Sequence, residues 1–346
     1  MSEQVSKVVS VSVPAQPLGD SSTAGRDAFL ADAQRYRREL LAHCYRMTGS
    51  LHDAEDLVQE TYLRAWKAFD RFEGKSSIRT WLHRIATNTC LTALEGKQRR
   101  PLPSGLGGPA SDPADELNSR AEVPWLEPLP DSPSDDRADP SVIVDSRESV
   151  RLAFIAALQH LSPRQRAVLV LRDVLQWKAA EVAAALETST AAVNSLLQRA
   201  RVQLDQVGPS QDDRIEIPES PAARDLLDRY IDAFQSYDMD KLVQLFTVDA
   251  VWEMPPFDSW YVGPEAIVAL SRDKCPAEKP GDMVLVRTTA NGQPAAAMYM
   301  RSPGPDGDRH LPFQLHVLDV KPDGISRVVA FLDTSVFPKF GLPEHL

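Results

Sequence analysis

Between Thr190 and Leu204 the chain sets Asn194, Ser195, Gln198 and Arg201 at helical spacing, with Arg199 beside them. On a helix these share an outward side with Ala191, while Val193, Leu197, Ala200 and Leu204 face inward. Asn and Gln can pair bidentately with adenine in the major groove, and Arg199 and Arg201 suit guanine or phosphate. A second group is acidic: Asp53, Asp56 and Glu60 fall on one helix face, with Gln59 beside them. Acids favour the first turn of any helix through its dipole, but Glu60 lies beyond that turn, so the face also suits docking on a basic partner. A third group mixes Phe69, Phe72 and Trp81 with Arg84, Thr87 and Asn88, followed by Lys97-Gln98-Arg99-Arg100. Aromatics beside basic groups suit unstacked single-stranded bases, and each of these rings is equally suited to a core. Proton-transfer candidates are confined to His316, Asp333, Asp258 and Trp252. A lone His on a strand face is ordinarily a satisfied core residue, and neither a nucleophile–base pair nor a metal cluster can be read from spacing. No cofactor and no metal are expected.

These residues need helices to position them. Apolar positions Val58, Tyr62, Ala65, Trp66 and Phe69 make one stripe over 53–69, and Ile78, Trp81, Leu82, Ile85 and Thr89 make another over 77–95. Leu161-Ser162-Pro163-Arg164-Gln165 starts a helix, with Ser162 as cap, Pro163 at the first helical position and Gln165 completing a capping box. A second helix over Lys178–Leu186, a short turn and a third over Thr190–Leu204 complete a helix-turn-helix pattern. Residues 221–346 differ. Two amphipathic helices are followed by strand-like runs at Asp282–Thr289, Ala295–Arg301, Phe313–Val320 and Ile325–Leu332, separated by Pro- and Gly-bearing turns. Helices followed by an antiparallel sheet indicate a small α+β domain.

The 346 residues, 43% apolar and 25% charged, suffice for two or three domains and exclude a wholly disordered chain. The net charge of -11 hides a division: residues 26–100 carry +4, 101–148 carry -8, 149–204 carry +4 and 205–346 carry -10. The two basic blocks are where polyanion contacts belong. Residues 101–148, dense in Pro, Gly, Ser and Asp, have the composition of a mostly disordered linker, interrupted by an apolar island, Val123 to Pro128, whose Trp125 suits local packing. The expected organisation is a tail over 1–25, a helical block over 26–100, an acidic Pro-rich linker over 101–148, a helix-turn-helix block over 149–205, a linker over 206–220 and the α+β block over 221–346. Three cysteines in no metal-ligand spacing fit a reducing cytoplasm. No run approaches the roughly 18 apolar residues of a membrane span.

Three strings carry a family resemblance. Asp53 to Trp66 (DAEDLVQETYLRAW) resembles the core-polymerase-binding helix of bacterial sigma factors of the extracytoplasmic-function type. Trp81 to Asn88 (WLHRIATN) resembles their −10-reading helix, and Leu161 to Arg166 with Val193 to Arg201 (VNSLLQRAR) resembles their −35-reading domain. Many members carry Arg after the Ser of the third helix, where this chain has Leu196, so base preference does not transfer. Residues 221–346 resemble SnoaL-like domains, cone-shaped α+β barrels, through Tyr230–Phe234, Leu242–Ala250, Trp252–Pro256, Trp260–Pro264 and Ile325–Leu332.

The resemblance implies two all-α sigma domains and a C-terminal SnoaL-like barrel, in a cytoplasmic, stress-response type of transcription-initiation factor. It implies core RNA polymerase binding by Asp53, Asp56, Leu57, Val58, Gln59 and Glu60. It implies −10 or single-strand contacts by Phe72, Arg84, Thr87, Asn88, Arg99 and Arg100. It implies −35 contacts by Thr190, Asn194, Ser195, Gln198, Arg199 and Arg201, on a helix-turn-helix over 179–198. The partners implied are core RNA polymerase, promoter DNA, the chain's own C-terminal domain lying against its sigma domains, and an unknown small ligand of the SnoaL-like cavity. Two other readings are a free-standing helix-turn-helix regulator, which needs neither the acidic helix nor Trp81–Asn88, and a C-terminal isomerase or cyclase built on His316, Asp333, Asp258 and Trp252.

Overall fold

A computed structural model describes residues 29, 33–72, 74, 76–131, 149–207, 215–304 and 308–346; the expected tail over 1–25 lies outside them. The first helical unit contains α1 (Arg37–Thr48), α2 (Leu51–Ala68) and α3 (Ile78–Ala93). Ser50 and Ser77 cap α2 and α3 by accepting from the backbone N–H of Asp53 and Thr80, satisfying donors the first turn leaves unpaired. Leu40, Cys44, Leu51, Ala54, Val58, Leu82, Ala86 and Cys90 fill the space between the three helices.

The second unit comprises α4 (Leu152–Leu158), α5 (Pro163–Leu169), α6 (Ala179–Ala185) and α7 (Thr190–Val207). The capping box at α5 forms as expected: Ser162 Oγ accepts from Gln165 N at 3.4 Å, and Gln165 Oε1 accepts from Ser162 N at 3.0 Å. Between α6 and α7 the chain reverses at Glu187, whose φ of 50° is left-handed.

The third unit opens with α8 (Pro221–Gln235) and α9 (Met239–Val243), then β1 (Phe246–Glu253), β2 (Trp260–Val262) and α10 (Pro264–Lys274). The strands β3 (Met283–Ala290), β4 (Gln293–Ser302), β5 (Arg309–Lys321) and β6 (Gly324–Phe331) follow. They form one six-stranded sheet in the order β2-β1-β6-β5-β4-β3. Two expectations need correction. The sheet is open, with β2 and β3 at its edges, and does not close into a barrel. It is also mixed, because β1 runs parallel to β6. At the β5–β6 turn Gly324 has φ 147°, and a Cβ there would sit 2.8 Å from the Leu245 carbonyl oxygen, so only glycine fits.

The linker differs most from its composition. Residues 101–131 are ordered: Pro103–Leu106 forms a 3-10 turn, and Leu126 and Leu129 are buried in the core shared by the helical units. Ser111 N donates to Trp260 O at 2.7 Å and Arg120 N to Pro256 O at 2.9 Å. A Pro- and Asp-rich segment cannot bury enough of itself to fold alone, but here the third unit supplies its partners. One hydrophobic cluster joins both helical units to the sheet face carrying Ala295, Ala297, Tyr299, Leu315 and Val317.

Candidate nucleic-acid interface

Along α7 the side chains of Thr190, Asn194, Ser195, Gln198 and Arg199 are exposed, while Val193, Leu197 and Ala200 are buried against α5 and α6. The outward register read from spacing therefore stands. Arg201 is also exposed, and its guanidinium holds Asp173 through two hydrogen bonds of 2.7 and 2.9 Å. This face is rich in polar groups matched to base edges, and among the described residues it is left exposed.

The −10 candidates have a different setting. Arg84 is exposed, and Phe72 stacks on Trp81 with ring centroids 4.7 Å apart. Thr87 is fully buried: its hydroxyl donates to the His83 carbonyl at 2.7 Å and exchanges a hydrogen bond with His43 Nε2 at 2.9 Å. It faces the domain core and has no surface to offer a base. Asn88 is half-buried and donates to Ala185 O of the helix-turn-helix unit at 3.4 Å. Arg99 holds Gly105 O at 2.7 Å and a His160 nitrogen at 3.0 Å, and Arg100 holds Trp125 O at 3.0 Å and Asp53 at 3.1 Å. The basic cluster thus grips the linker and its own unit.

On α2 the acidic face is divided. Asp56 and Gln59 are exposed, and Glu60 pairs with Arg64 at 2.6 Å. Leu57 and Val58, at 8% and 1% exposure, are core residues, which corrects their place among docking residues. Burial alone would raise the Asp53 carboxyl pKa; Arg100 and Lys97 outweigh it and hold the group below the usual carboxylate range. Spacing did not single out Leu63, which is 54% exposed, and it placed Trp66 in the apolar stripe, where the structure corrects it: Trp66 remains 39% exposed further along α2.

Two residues that carry the assembly were also missed. Glu127, within the apolar island, accepts from Ser50 Oγ at 2.8 Å and from His52 N at 3.2 Å, and its carbonyl accepts from Tyr45 OH at 2.6 Å. Trp125 packs locally, donating to Arg120 O at 3.0 Å. The other is Asn291, at the tip of the β3–β4 hairpin and completely buried. Its Nδ2 donates to Tyr45 OH at 2.8 Å and Val150 O at 2.7 Å, and its Oδ1 accepts from Leu129 N at 2.8 Å. One side chain therefore touches the first unit, the linker and the start of the second unit. Beside it Gln293 Oε1 accepts from Leu152 N at 2.9 Å, and Arg151 pairs with Asp319 at 3.0 Å, both nearly buried. The Asn-Gly dipeptide was the available signal, but it marks a turn and says nothing of what the turn enters.

The helical units also grip each other. Arg46 donates to Ser149 O and Oγ at 3.1 and 2.6 Å; Arg166 donates to the Met47 carbonyl and to Gln159. Burial pushes both guanidinium pKa values down to about 10, which leaves them charged at neutral pH. His43 and His83 lie in this region with ring centroids 5.2 Å apart, and burial lowers the pKa of each.

The enzyme candidates are scattered. His316 is fully buried, accepting from Tyr230 OH at 2.8 Å on Nδ1 and donating from Nε2 to Gln314 Oε1 at 2.7 Å. Burial pushes its pKa down to about 3. Asp258 holds Asn118 and Arg120 of the linker, and Asp333 caps the turn Thr334–Phe340. Tyr230, Phe234 and Trp252 pack around the His316 ring.

Comparison with known proteins decides the family. Sigma-70 region 2 matches residues 33–100, sigma-70 region 4 matches 151–204, and the SnoaL-like domain matches 227–328. The ECF RNA polymerase sigma factor SigG of Mycobacterium tuberculosis is 67% identical over 347 residues, spanning 100% of this chain and 92% of SigG. The chain belongs to the extracytoplasmic-function sigma factors of RNA polymerase. A second such factor, SigJ of Mycobacterium tuberculosis, is 30% identical over 224 residues, 64% of each chain. The crystal structure of SigJ shares the fold with a TM-score of 0.58 at 24% identity, covering 91% of this chain and 99% of SigJ. In this sigma factor, among the described residues, no helix is long and apolar enough to cross a membrane.

Proposed function

We propose that this sigma factor acts in the cytoplasm, docks on core polymerase through the Asp56–Gln59–Glu60 face of α2, and reads a −35 element with Asn194, Ser195, Gln198 and Arg199. Arg84 and Phe72 serve the −10 element, joined by Asn88, Arg99 and Arg100 once these leave their present partners. The proposed segment roles follow: sigma units over 26–100 and 149–205, a linker over 101–148 that joins and fastens them, and a regulatory domain over 221–346. No catalytic step is assigned to the third unit, since both His316 nitrogens are engaged and Asp258 and Asp333 serve elsewhere.

The observation that carries this reading is the asymmetry of the two reading surfaces. The −35 face is open, whereas Asn88 on the −10 helix lies against Ala185 of the helix-turn-helix unit. Two promoter elements cannot both be engaged while the units are so joined. The third unit therefore acts as a brake, with Asn291 as its fastening. Transcription in vitro with purified core polymerase tests this, comparing the full chain, its Asn291→Ala variant and a chain ending near Asp205. Higher promoter-specific output from the Asn291 variant supports the brake. Identical output from all three removes it, and no output from any removes the sigma assignment of these surfaces.

A further inference from the structure

The joint between the first and second units closes around two imidazole rings. His43 on α1 and His83 on α3 lie edge to face with centroids 5.2 Å apart, and both are buried. Their neighbours assign their protons. The single hydroxyl proton of Thr87 goes to the His83 carbonyl, so Thr87 Oγ1 accepts from His43 Nε2 at 2.9 Å. His83 Nε2 faces Glu39 Oε2 at 3.5 Å, and a carboxylate only accepts, so this nitrogen also carries its proton. On each ring Nδ1 is therefore a bare lone pair, and both Nδ1 atoms are buried without a hydrogen-bond partner among the described residues. A proton arriving at either finds no acceptor and leaves a charge in the core.

The charges facing the rings add to that cost. From α1 come Glu39 and Arg46, and from α3 comes Arg79. Arg79 already holds Glu39 Oε2 at 2.5 Å, so the anion is shared. Arg46 is itself buried and ties the joint together, donating to Ser149 O at 3.1 Å. On the second unit's side the uncharged Trp177 lies edge-on to His83 with centroids 6.5 Å apart, and Arg172 donates to the Trp177 carbonyl. Burial first, and then these cations, hold both rings neutral below the usual histidine range, outweighing Glu39 at His83.

We propose that this joint is an acid-sensitive latch, in which protons taken up at Nδ1 of His43 and His83 part α3 from the helix-turn-helix unit. Two like charges on adjacent rings push against Arg46, the group that holds Ser149. Water entering the parted joint supplies the acceptors that the closed core lacks. Opening takes up two protons, so the ratio of open to closed chains rises by up to about a hundredfold per pH unit below about 6.5, tenfold for each histidine. The effect of the latch on transcription rests on the brake described above; the opening itself does not.

Distances between spin labels on the full chain test the latch. The labels go on Thr92→Cys and Ala184→Cys, exposed positions beside Asn88 and Ala185, which meet across the joint. Cys275→Ser removes the cysteine that is not fully buried. The short distance at pH 7.5 is expected to give way to a longer one between about pH 6 and 5, with circular dichroism unchanged. His43→Gln and His83→Gln are each expected to halve the slope of opening against pH, and together to keep the chain closed. A distance that stays short down to pH 5 overturns the proposal, as does the same opening in all three variants. Loss of helix at the same pH overturns it too, since that is acid unfolding. If a variant does not fold, the wild-type slope decides, and uptake of fewer than two protons overturns the latch. Since no polymerase is present, these results stand whatever the transcription assay gives.

Discussion

His316 shows how far a single residue's surroundings can invert its usual role. Histidine normally titrates near 6.5, but burial holds this ring neutral down to about 3. Above about 6.5 it is neutral in folded and unfolded chains alike and has no effect on pH dependence. As pH falls from 6.5 towards 3 the unfolded chain takes up a proton that the folded core refuses. Stability is therefore lost on the acid side, at about 1.4 kcal/mol per pH unit. Denaturant unfolding at pH 7 and pH 5 should show the wild type losing about 2 kcal/mol more than His316→Gln over that interval; equal losses would mean the ring is not held neutral. On α7, Asn194→Ala and Gln198→Ala should each relax base preference in the −35 element by about 1–3 kcal/mol, the value of one bidentate contact. A binding-site selection that returns the wild-type pattern for both would show that the recognition face has been misplaced.

The acidic face of α2 acts as an element, since its charges sum only because one helix aligns them. Asp56→Arg combined with Glu60→Arg should weaken association with core polymerase by several kcal/mol while leaving DNA binding intact. Exposed charges contribute little to the fold, so the melting curve should hardly move; unchanged co-purification with core would place docking elsewhere. Elements with local causes were legible in the sequence. The α5 capping box is one, and the strands β3 to β6 were found within a few residues because alternating apolar residues and turn dipeptides sit inside each segment. β1 and β2 were not found, because β1 pairs in parallel with β6, some eighty residues away by sequence number, and shows two adjacent exposed residues that break its alternation. The linker misled for the same reason, its partners being Trp260 and Pro256. Within the site, outward residues on α7 followed from helical period alone. The burial of Thr87 and Leu57 did not, because a motif string contains both faces of its helix and marks neither; Val58 was set in the apolar stripe by period and among docking residues by the motif, and the structure buries it.

At the scale of the molecule, Asn291, Arg151 and Glu127 add polar ties between units that also share one apolar core. Asn291 binds Tyr45, Val150 and Leu129; Arg151 meets Asp319; Glu127 ties Ser50 and His52 to the linker. Replacing Asn291 with Ala leaves Val150 O and Leu129 N buried without their partner, at about 1–3 kcal/mol each. Because all units are tethered, the loss should appear as separation between them before it appears as unfolding. Small-angle scattering should show a larger radius of gyration for the Asn291→Ala chain with its circular dichroism unchanged; an unchanged radius would mean that the shared apolar core alone holds the units together. The same hairpin tip is also a chemical clock. An asparagine followed by glycine ages by attack of the Gly292 amide nitrogen on the Asn291 side-chain carbonyl, expelling ammonia and closing a cyclic imide that water then opens to a carboxylate or its isomer. In the closed chain that nitrogen is held by Asp131 Oδ1 at 2.8 Å, and the departing amide is held at both Tyr45 and Val150. Closed molecules should keep Asn291 intact, while molecules that spend time open accumulate the acidic form, detectable as a mass gain of about one dalton in the peptide spanning β3 and β4. The carboxylate cannot donate to Val150 O, so an aged molecule would be unable to refasten. For this chain, opening would leave a permanent mark.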